Sequence, residues 1–285
     1  MRKEKEAYKI TPELIGRYVI SLREQEKSEA TIRKYVHDLT ALCRYLADAA
    51  LTKSLLIGWK ENLERQYAAA SVNTMIAAMN GLLEFGGRGD LKVKPLKIQK
   101  SMFCDEEKEL TREEYIRLIR AAEQKGGERI SLVIQTICAT GIRVSELRFI
   151  TADTVKSGRT EINNKGKRRI IFLPEKLCCL LRKYLQRHGR TAGTVFVTAT
   201  GRPLDRSNIW RDMKALCEDA GVEPGKVFPH NLRHLFARTY YTLEKDLSRL
   251  ADILGHSNVN TTRIYTTESG AIHVRQLERM GLIIT

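Results

Sequence analysis

A chain of 285 residues has room for two ordinary domains or one large one, and either buries enough apolar surface to stand without a disulfide or metal. Lysine and arginine number 49 against 34 acidic residues, a formal charge of +15, so a polyanion is the expected partner. No apolar leader opens the chain and no later run reaches the roughly 18 apolar residues that cross a bilayer, which argues against a membrane protein and for a cytoplasmic one.

Ser28 is a helix-start residue, and Ile32, Tyr35, Val36, Leu39, Leu42, Cys43 and Leu46 follow at helical spacing on one face. Residues 71 to 85 repeat the pattern with Val72, Met75, Ile76, Met79, Leu82 and Leu83 and stop at Gly86-Gly87. The region 1–88 therefore reads as a small helical bundle. From 89 to 109 glycines, Pro95 and the lysines Lys92, Lys94, Lys97 and Lys100 replace any helical period, as in an interdomain linker. Those lysines either track a phosphate backbone or are simply solvated.

Thr111 with Glu114 forms a capping-box pattern that opens a second domain, 110–270. A helix over 130–139 meets Thr140-Gly141, and a further helix is expected from about Arg143. Residues 160–163 and 168–173 flank a turn-like Asn164 to Lys167, which predicts a hairpin, and 194–197 is a candidate third strand. Helical patterns resume over 174–187, 205–220, 229–242 and 245–254. The tail 271–285 carries Ile272, Leu277, Met280 and Leu282 among Arg275 and Arg279, an amphipathic pattern. The fold class is mainly α with a small antiparallel sheet.

The six cysteines include no CxxC and the six histidines no HExxH, and Asn164-Lys165-Gly166-Lys167-Arg168 lacks the flanking residues of a Walker loop, so neither a metal nor a nucleotide cofactor is expected. Four short stretches remain. Thr140-Gly141-Ile142-Arg143-Val144-Ser145-Glu146 aims a guanidinium from a helix start, which suits a phosphate, though an exposed Arg–Glu pair has the same pattern. Lys165 stands at the hairpin turn, where lysines are usually just solvated. Pro229-His230-Asn231-Leu232-Arg233-His234 places His230 on one helical face with both Arg233 and His234, where a packed or a metal-ligating histidine is the alternative. Leu254-Gly255-His256-Ser257 ends a helix nine residues before Tyr265, one of ten tyrosines, most of which serve packing.

In that order Arg143, Lys165, His230 with Arg233, His256 and Tyr265 resemble the active-site series of the tyrosine recombinases, the phage integrase family that includes the Xer and Cre proteins. TGIRVSEL, NKGKRR, HNLRH, LGHS and TTRIYT resemble family blocks across about 110 to 270, and the helix from Thr31 to Leu46 resembles the core-binding domain more loosely. The resemblance implies a helical, SAM-like core-binding domain at 1–88, a basic linker at 89–109, a catalytic α+β domain at 110–270, and a C-shaped clamp around duplex DNA. It also implies a chain starting near the core-binding helices, without a separate arm-binding domain.

The same resemblance implies that Tyr265 attacks a phosphodiester to give a 3′-phosphotyrosyl link, with no metal or ATP. Arg143 and Arg233 would hold the non-bridging oxygens, His256 would add a donor, His230 would take the phenol proton, and Lys165 would give one to the 5′ oxygen. Glu146 and His234 would support them. DNA contacts would come from Lys92, Lys94, Lys97, Lys100, Thr31, Arg33, Lys167 and Arg168. Expected partners are double-stranded DNA and further copies of the chain, a tetramer on paired sites with the tail 271–285 docked on a neighbour or packed in cis, and a directionality factor or partner recombinase. A topoisomerase IB-like enzyme and a non-catalytic DNA-binding relative are the competing functions; mobile-element integrase and chromosomal or plasmid resolvase are poorly separated, and a simple Xer-like architecture acting on short inverted half-sites is favoured.

Overall fold

The computed structural model describes residues 9–47, 49–98, 106–164, 167–265, 274 and 277–280. Its contacts divide the chain into two compact units, Met1–Lys100 and Ser101–Thr285. Among the described residues no helix is long and apolar enough to cross a membrane.

The first unit holds four helices: α1 Pro12–Glu24, α2 Glu29–Leu46, α3 Lys53–Gln66 and α4 Ala69–Phe85. Thr11, Ser28 and Thr52 cap the first three, each hydroxyl accepting a backbone N–H three residues on. The apolar faces read from the sequence on α2 and α4 are buried, with Leu39 and Leu42 against Val72, Ile76, Met79 and Leu83 in one core. Tyr18 and Leu22 of α1 and Leu56 and Trp59 of α3 complete that core.

Beyond α4 the chain stays attached to this unit for longer than composition implies. The Asn80 amide donates to the Val93 carbonyl (2.8 Å) and accepts from the Val93 N–H (2.9 Å). Asn73, two turns earlier, does the same with Leu96 at 2.9 and 2.7 Å. Each side-chain amide thus imitates a backbone partner, and Leu91 and Val93 are buried beneath the run.

The second unit begins with α5 Arg112–Gln124, whose Thr111–Glu114 capping box forms in both directions. Next comes α6 Glu128–Thr140, the most enclosed helix of the unit, with Val133, Ile134 and Ile137 fully buried. The further helix expected after Gly141 is a 3-10 helix, Val144–Phe149. The Glu146 carboxylate turns back to accept the Arg143 N–H (2.9 Å), and the Glu146 N–H donates to the Arg143 carbonyl, a tight turn that fixes the i to i−3 pattern.

A short α7, Ala152–Ser157, leads into β1 Arg159–Asn164 and β2 Lys167–Phe172, antiparallel with Ile162 opposite Arg169. These two strands are the whole sheet among the described residues. The third strand expected at 194–197 is absent: Thr194 and Val197 make only isolated bridges, to Thr151 and Pro203, and proline has no N–H with which to extend a ladder. There follow α8 Glu175–Arg187, α9 Arg206–Lys214, α10 Cys217–Ala220, α11 Pro229–Glu244 and α12 Leu247–Leu254. The single helix expected over 205–220 is thus two, parted at Ala215-Leu216. α11 lies along α6, and α12 packs on both α11 and β2. Of the amphipathic tail, Val274, Leu277 and Met280 are exposed, while Ile272, Arg275 and Leu282 fall outside the described residues.

Candidate active site

The end of α6, the start of α11, β2 and the end of α12 meet at one place in the second unit, and each brings a charged or titratable side chain. Gly141 terminates α6 in the left-handed region at φ +63°, and a Cβ there would overlap the Phe236 ring of α11. That close approach lets Arg143 and Arg233 reach the same spot. Arg143 donates from Nη1 to Glu146 Oε1 (3.1 Å) and from Nη2 to the Gly255 carbonyl (3.3 Å). Arg233, 3% exposed, donates from Nη1 to the Gly141 carbonyl and from Nη2 to the Leu254 carbonyl (2.6 Å).

Its Nη2 also lies 3.2 Å from His256 Nε2, and His256 Nδ1 lies 2.9 Å from the buried Thr262 hydroxyl. A 3-10 turn, Arg263–Tyr265, then carries Tyr265, 4% exposed in a small apolar cluster with Ala237, Leu250 and Leu254. The His234 ring meets the Tyr265 ring edge-on at 4.7 Å, and the His256 ring stacks on it at 6.1 Å. His234 Nε2 is hydrogen-bonded to His230 Nε2 at 3.1 Å.

Charge dominates this locale. Three guanidiniums, those of Arg143, Arg169 and Arg233, surround one carboxylate, Glu146, which is 3% exposed and accepts from Arg143 and, at 2.5 Å, from Arg169. Burial and then the neighbouring Arg143 and Arg169 lower Arg233 to about 10. Burial, and after it Arg233, Arg143 and Arg169, push His256 down to about 4. His234 falls to about 4 through burial, His230 and Arg233, and His230 is lowered by burial and then by Arg233, Arg143 and Arg206. Burial raises the Tyr265 phenol, with Arg233 pulling the other way. At neutral pH the imidazoles are therefore neutral among three guanidiniums that a single carboxylate only partly compensates, an arrangement that favours an incoming anion. A cleft of about 1120 Å³ opens beside it, lined by Arg143, Glu146, Arg168, Arg169, Gly255 and His256. Among the described residues no three His, Cys, Asp or Glu side chains gather as metal ligands would.

Of the residues the sequence singled out, Arg143, Glu146, His230, Arg233, His234, His256 and Tyr265 come together here. Lys165 lies outside the described residues, and Lys167 is described only as backbone of β2. Arg168 is exposed at the cleft beside these residues, 3.7 Å from Glu161. The proposed DNA contacts Thr31, Arg33, Lys92, Lys94 and Lys97 belong to the first unit, where Thr31 is half-buried and hydrogen-bonded to Ser28, Lys92 is ion-paired with Glu84, and the other three are exposed. Lys100 lies outside the described residues. Sequence reasoning missed Arg169 and Thr262.

The family model described as the phage integrase family matches residues 108–271, more than half of the chain. The chain belongs to the phage integrase family. A second match, to the phage integrase N-terminal SAM-like domain, covers residues 15–88 of this family member. It is 29% identical to tyrosine recombinase XerA of Thermococcus kodakarensis, over 95% of this chain and 96% of that protein. Its fold is that of a lambda integrase dimer bound to a COC′ core site (TM-score 0.75, 18% identity, 91% of this chain and 96% of that one). It is also that of a lambda integrase tetramer bound to a Holliday junction (TM-score 0.72, 19% identity, 89% and 76%).

Proposed function

We propose that this chain is a site-specific DNA recombinase whose nucleophile is Tyr265. The observation that carries the reading is a buried phenol flanked by two imidazoles, His234 edge-on and His256 stacked, beside two guanidiniums fixed by backbone carbonyls. A phosphodiester is a poor electrophile because of its charge, and preorganised guanidiniums lower that barrier as charge builds on the non-bridging oxygens. The Tyr265 oxygen attacks phosphorus and the bond to the 5′ oxygen breaks, leaving a 3′-phosphotyrosyl link and a 5′ hydroxyl. The phenol proton passes to His230, and Lys165 supplies the proton taken by the 5′ oxygen. The link keeps the energy of the diester, so the 5′ hydroxyl of another strand reverses the step without ATP.

Glu146 holds Arg143 in place, and His234 holds the Tyr265 ring and the His230 imidazole. Residues 1–88 carry the helices of the core-binding domain, 89–109 the basic segment that joins it to the catalytic domain at 110–270 and whose first part is packed on the core-binding helices, and Lys92, Lys94, Lys97, Lys100, Thr31, Arg33, Lys167 and Arg168 contact the duplex. Exchange between two sites needs four cut strands and hence four copies of the chain, with the tail 271–285 docked on a neighbour. The lambda integrase tetramer on a Holliday junction supports that assembly. A directionality factor or partner recombinase sets the outcome.

A nicked duplex carrying the target, from which the 5′ fragment diffuses away, traps the covalent intermediate. The adduct should form in excess chelator and be absent from Tyr265→Phe; an adduct that persists in that variant removes Tyr265 as the nucleophile. Arg143→Ala or Arg233→Ala should lower the rate of adduct formation by about 10²- to 10³-fold.

A further inference from the structure

One buried charge at this site has no part in the scheme above. In the β1–β2 ladder Ile162 faces Arg169 and Thr160 faces Ile171. Ile162 and Ile171 are buried, whereas Arg168, Ile170 and Phe172, at the alternate positions of β2, are exposed. Arg169 therefore projects inward with the apolar residues, and its side chain is 10% exposed. It donates from Nη2 to Glu146 Oε2 (2.5 Å) and from Nη1 to the Leu254 carbonyl, while its Nε is buried without a hydrogen-bond partner among the described residues. Burial and Arg143 lower its pKa and Glu146 opposes them.

The far side of the contact is equally specific. Gly255 has φ +64°, and a Cβ there would lie 2.5 Å from Arg169 Nη1 and 2.8 Å from its Cδ. The Leu254 carbonyl accepts from both Arg169 and Arg233, and the Gly255 carbonyl accepts from Arg143. One guanidinium thus joins the middle of the hairpin, the buried carboxylate and the turn that leads to His256 and Tyr265. A buried, incompletely satisfied cation is an expensive way to pack a strand against a helix end, where leucine would serve.

We infer that Arg169 is a positioning residue: it locks the hairpin that carries Lys165 to the turn at Leu254-Gly255, so that the group protonating the leaving oxygen and the nucleophile face one phosphate together. The inference rests on the reading of Lys165 as that proton donor. Lys165 lies four residues before Arg169, between the paired Asn164 and Lys167, so the direction of the hairpin sets where it reaches.

The test compares adduct formation on an ordinary duplex with one in which sulfur replaces the bridging 5′ oxygen at the scissile phosphate. A thiolate leaves without a proton, so the sulfur substrate bypasses a lost or misplaced acid and does nothing for a lost oxyanion donor. Arg169→Met and Lys165→Ala should each lose about 10²-fold on oxygen. Both should regain most of that on sulfur, with DNA affinity unchanged within about twofold. Arg143→Ala should stay slow on both substrates. Arg169→Lys, whose single ammonium reaches one of the two acceptors, should fall between wild type and Arg169→Met and show the same sulfur rescue; it carries the comparison if Arg169→Met fails to bind DNA. Rescue of Lys165→Ala without rescue of the Arg169 variants overturns the positioning role and leaves the Lys165 reading standing. Failure to rescue either removes Lys165 as the acid, and the role of Arg169 with it.

Discussion

A guanidinium has donors and no acceptor, and that fixes a proton at the centre of this site. Because Arg233 Nη2 approaches His256 Nε2 at 3.2 Å, the imidazole nitrogen must accept, so the proton of neutral His256 sits on Nδ1 and is donated to Thr262 Oγ1. His256 in this state cannot offer Nε2–H to a phosphate. A phosphate oxygen that takes the Arg233 donor frees the imidazole and places negative charge beside it, which raises its pKa and makes it a donor. In the free protein the rings of His234 and His256 should titrate near pH 4 by NMR, with no midpoint near 6.5. In Tyr265→Phe bound to uncleaved DNA the His256 midpoint should rise by about one unit or more. A His256 midpoint unmoved by DNA would refute the switch. The sign for stability follows from the same shifts. An unfolded histidine takes its proton near 6.5 and these two take theirs near 4, so the stability they contribute declines as pH falls through that window and levels off below it. The urea midpoint should accordingly be lower at pH 5 than at pH 7.

At the scale of elements, α12 is only eight residues long, and the carbonyls of Leu254 and its cap Gly255, at the negative end of the helix, are met by Arg143, Arg169 and Arg233 from three other segments. Gly255→Ala forces a left-handed conformation on alanine and displaces Arg169, whereas Gly221, at φ +57° with no atom within 4 Å of its would-be Cβ, meets only the first problem. Both substitutions should cost about 1–2 kcal/mol in denaturant unfolding from backbone strain. Only Gly255→Ala should also slow adduct formation; equal activity in the two variants would show that the Arg169 contact is idle.

What the sequence disclosed at this scale was local in origin. Ser28, the Thr111–Glu114 box and Gly86 act within a few residues of themselves, and the helices they bound are where periodicity places them. The helices α1 and α3 carry equally good caps at Thr11 and Thr52 but were covered only by the general expectation of a bundle. Arg143, His230, Arg233, His256 and Tyr265 were legible because they lie in short recognisable blocks. Arg169 was not, because its significance depends on facing inward opposite Ile162 and on reaching a carbonyl 85 residues away. Neither could be read from β2, whose exposed face carries Ile170 and Phe172 and whose inward face pairs Arg169 with Ile171, so that its apolar residues mark no buried side.

For the whole molecule, the excess of 49 basic over 34 acidic residues identifies a polyanion partner but does not locate it, and the buried guanidiniums of the second unit do that more sharply. Each unit has its own apolar core. The paired amides of Asn73 and Asn80 bear on where such a protein can be cut. A fragment ending at residue 88, the limit of the SAM-like match, discards Leu91 and Val93, which together bury about 3–6 kcal/mol worth of apolar side chain, and strips both asparagines of their partners. A fragment ending at Ile98 keeps all of these. Expressed alone, residues 9–98 should melt cooperatively and residues 9–88 should melt far lower or not fold; matching melting curves would mean that the asparagine ladder is dispensable. Any dissection of the two halves therefore belongs after Ile98, ten residues later than recognition of the domain by its helices would put the scissors.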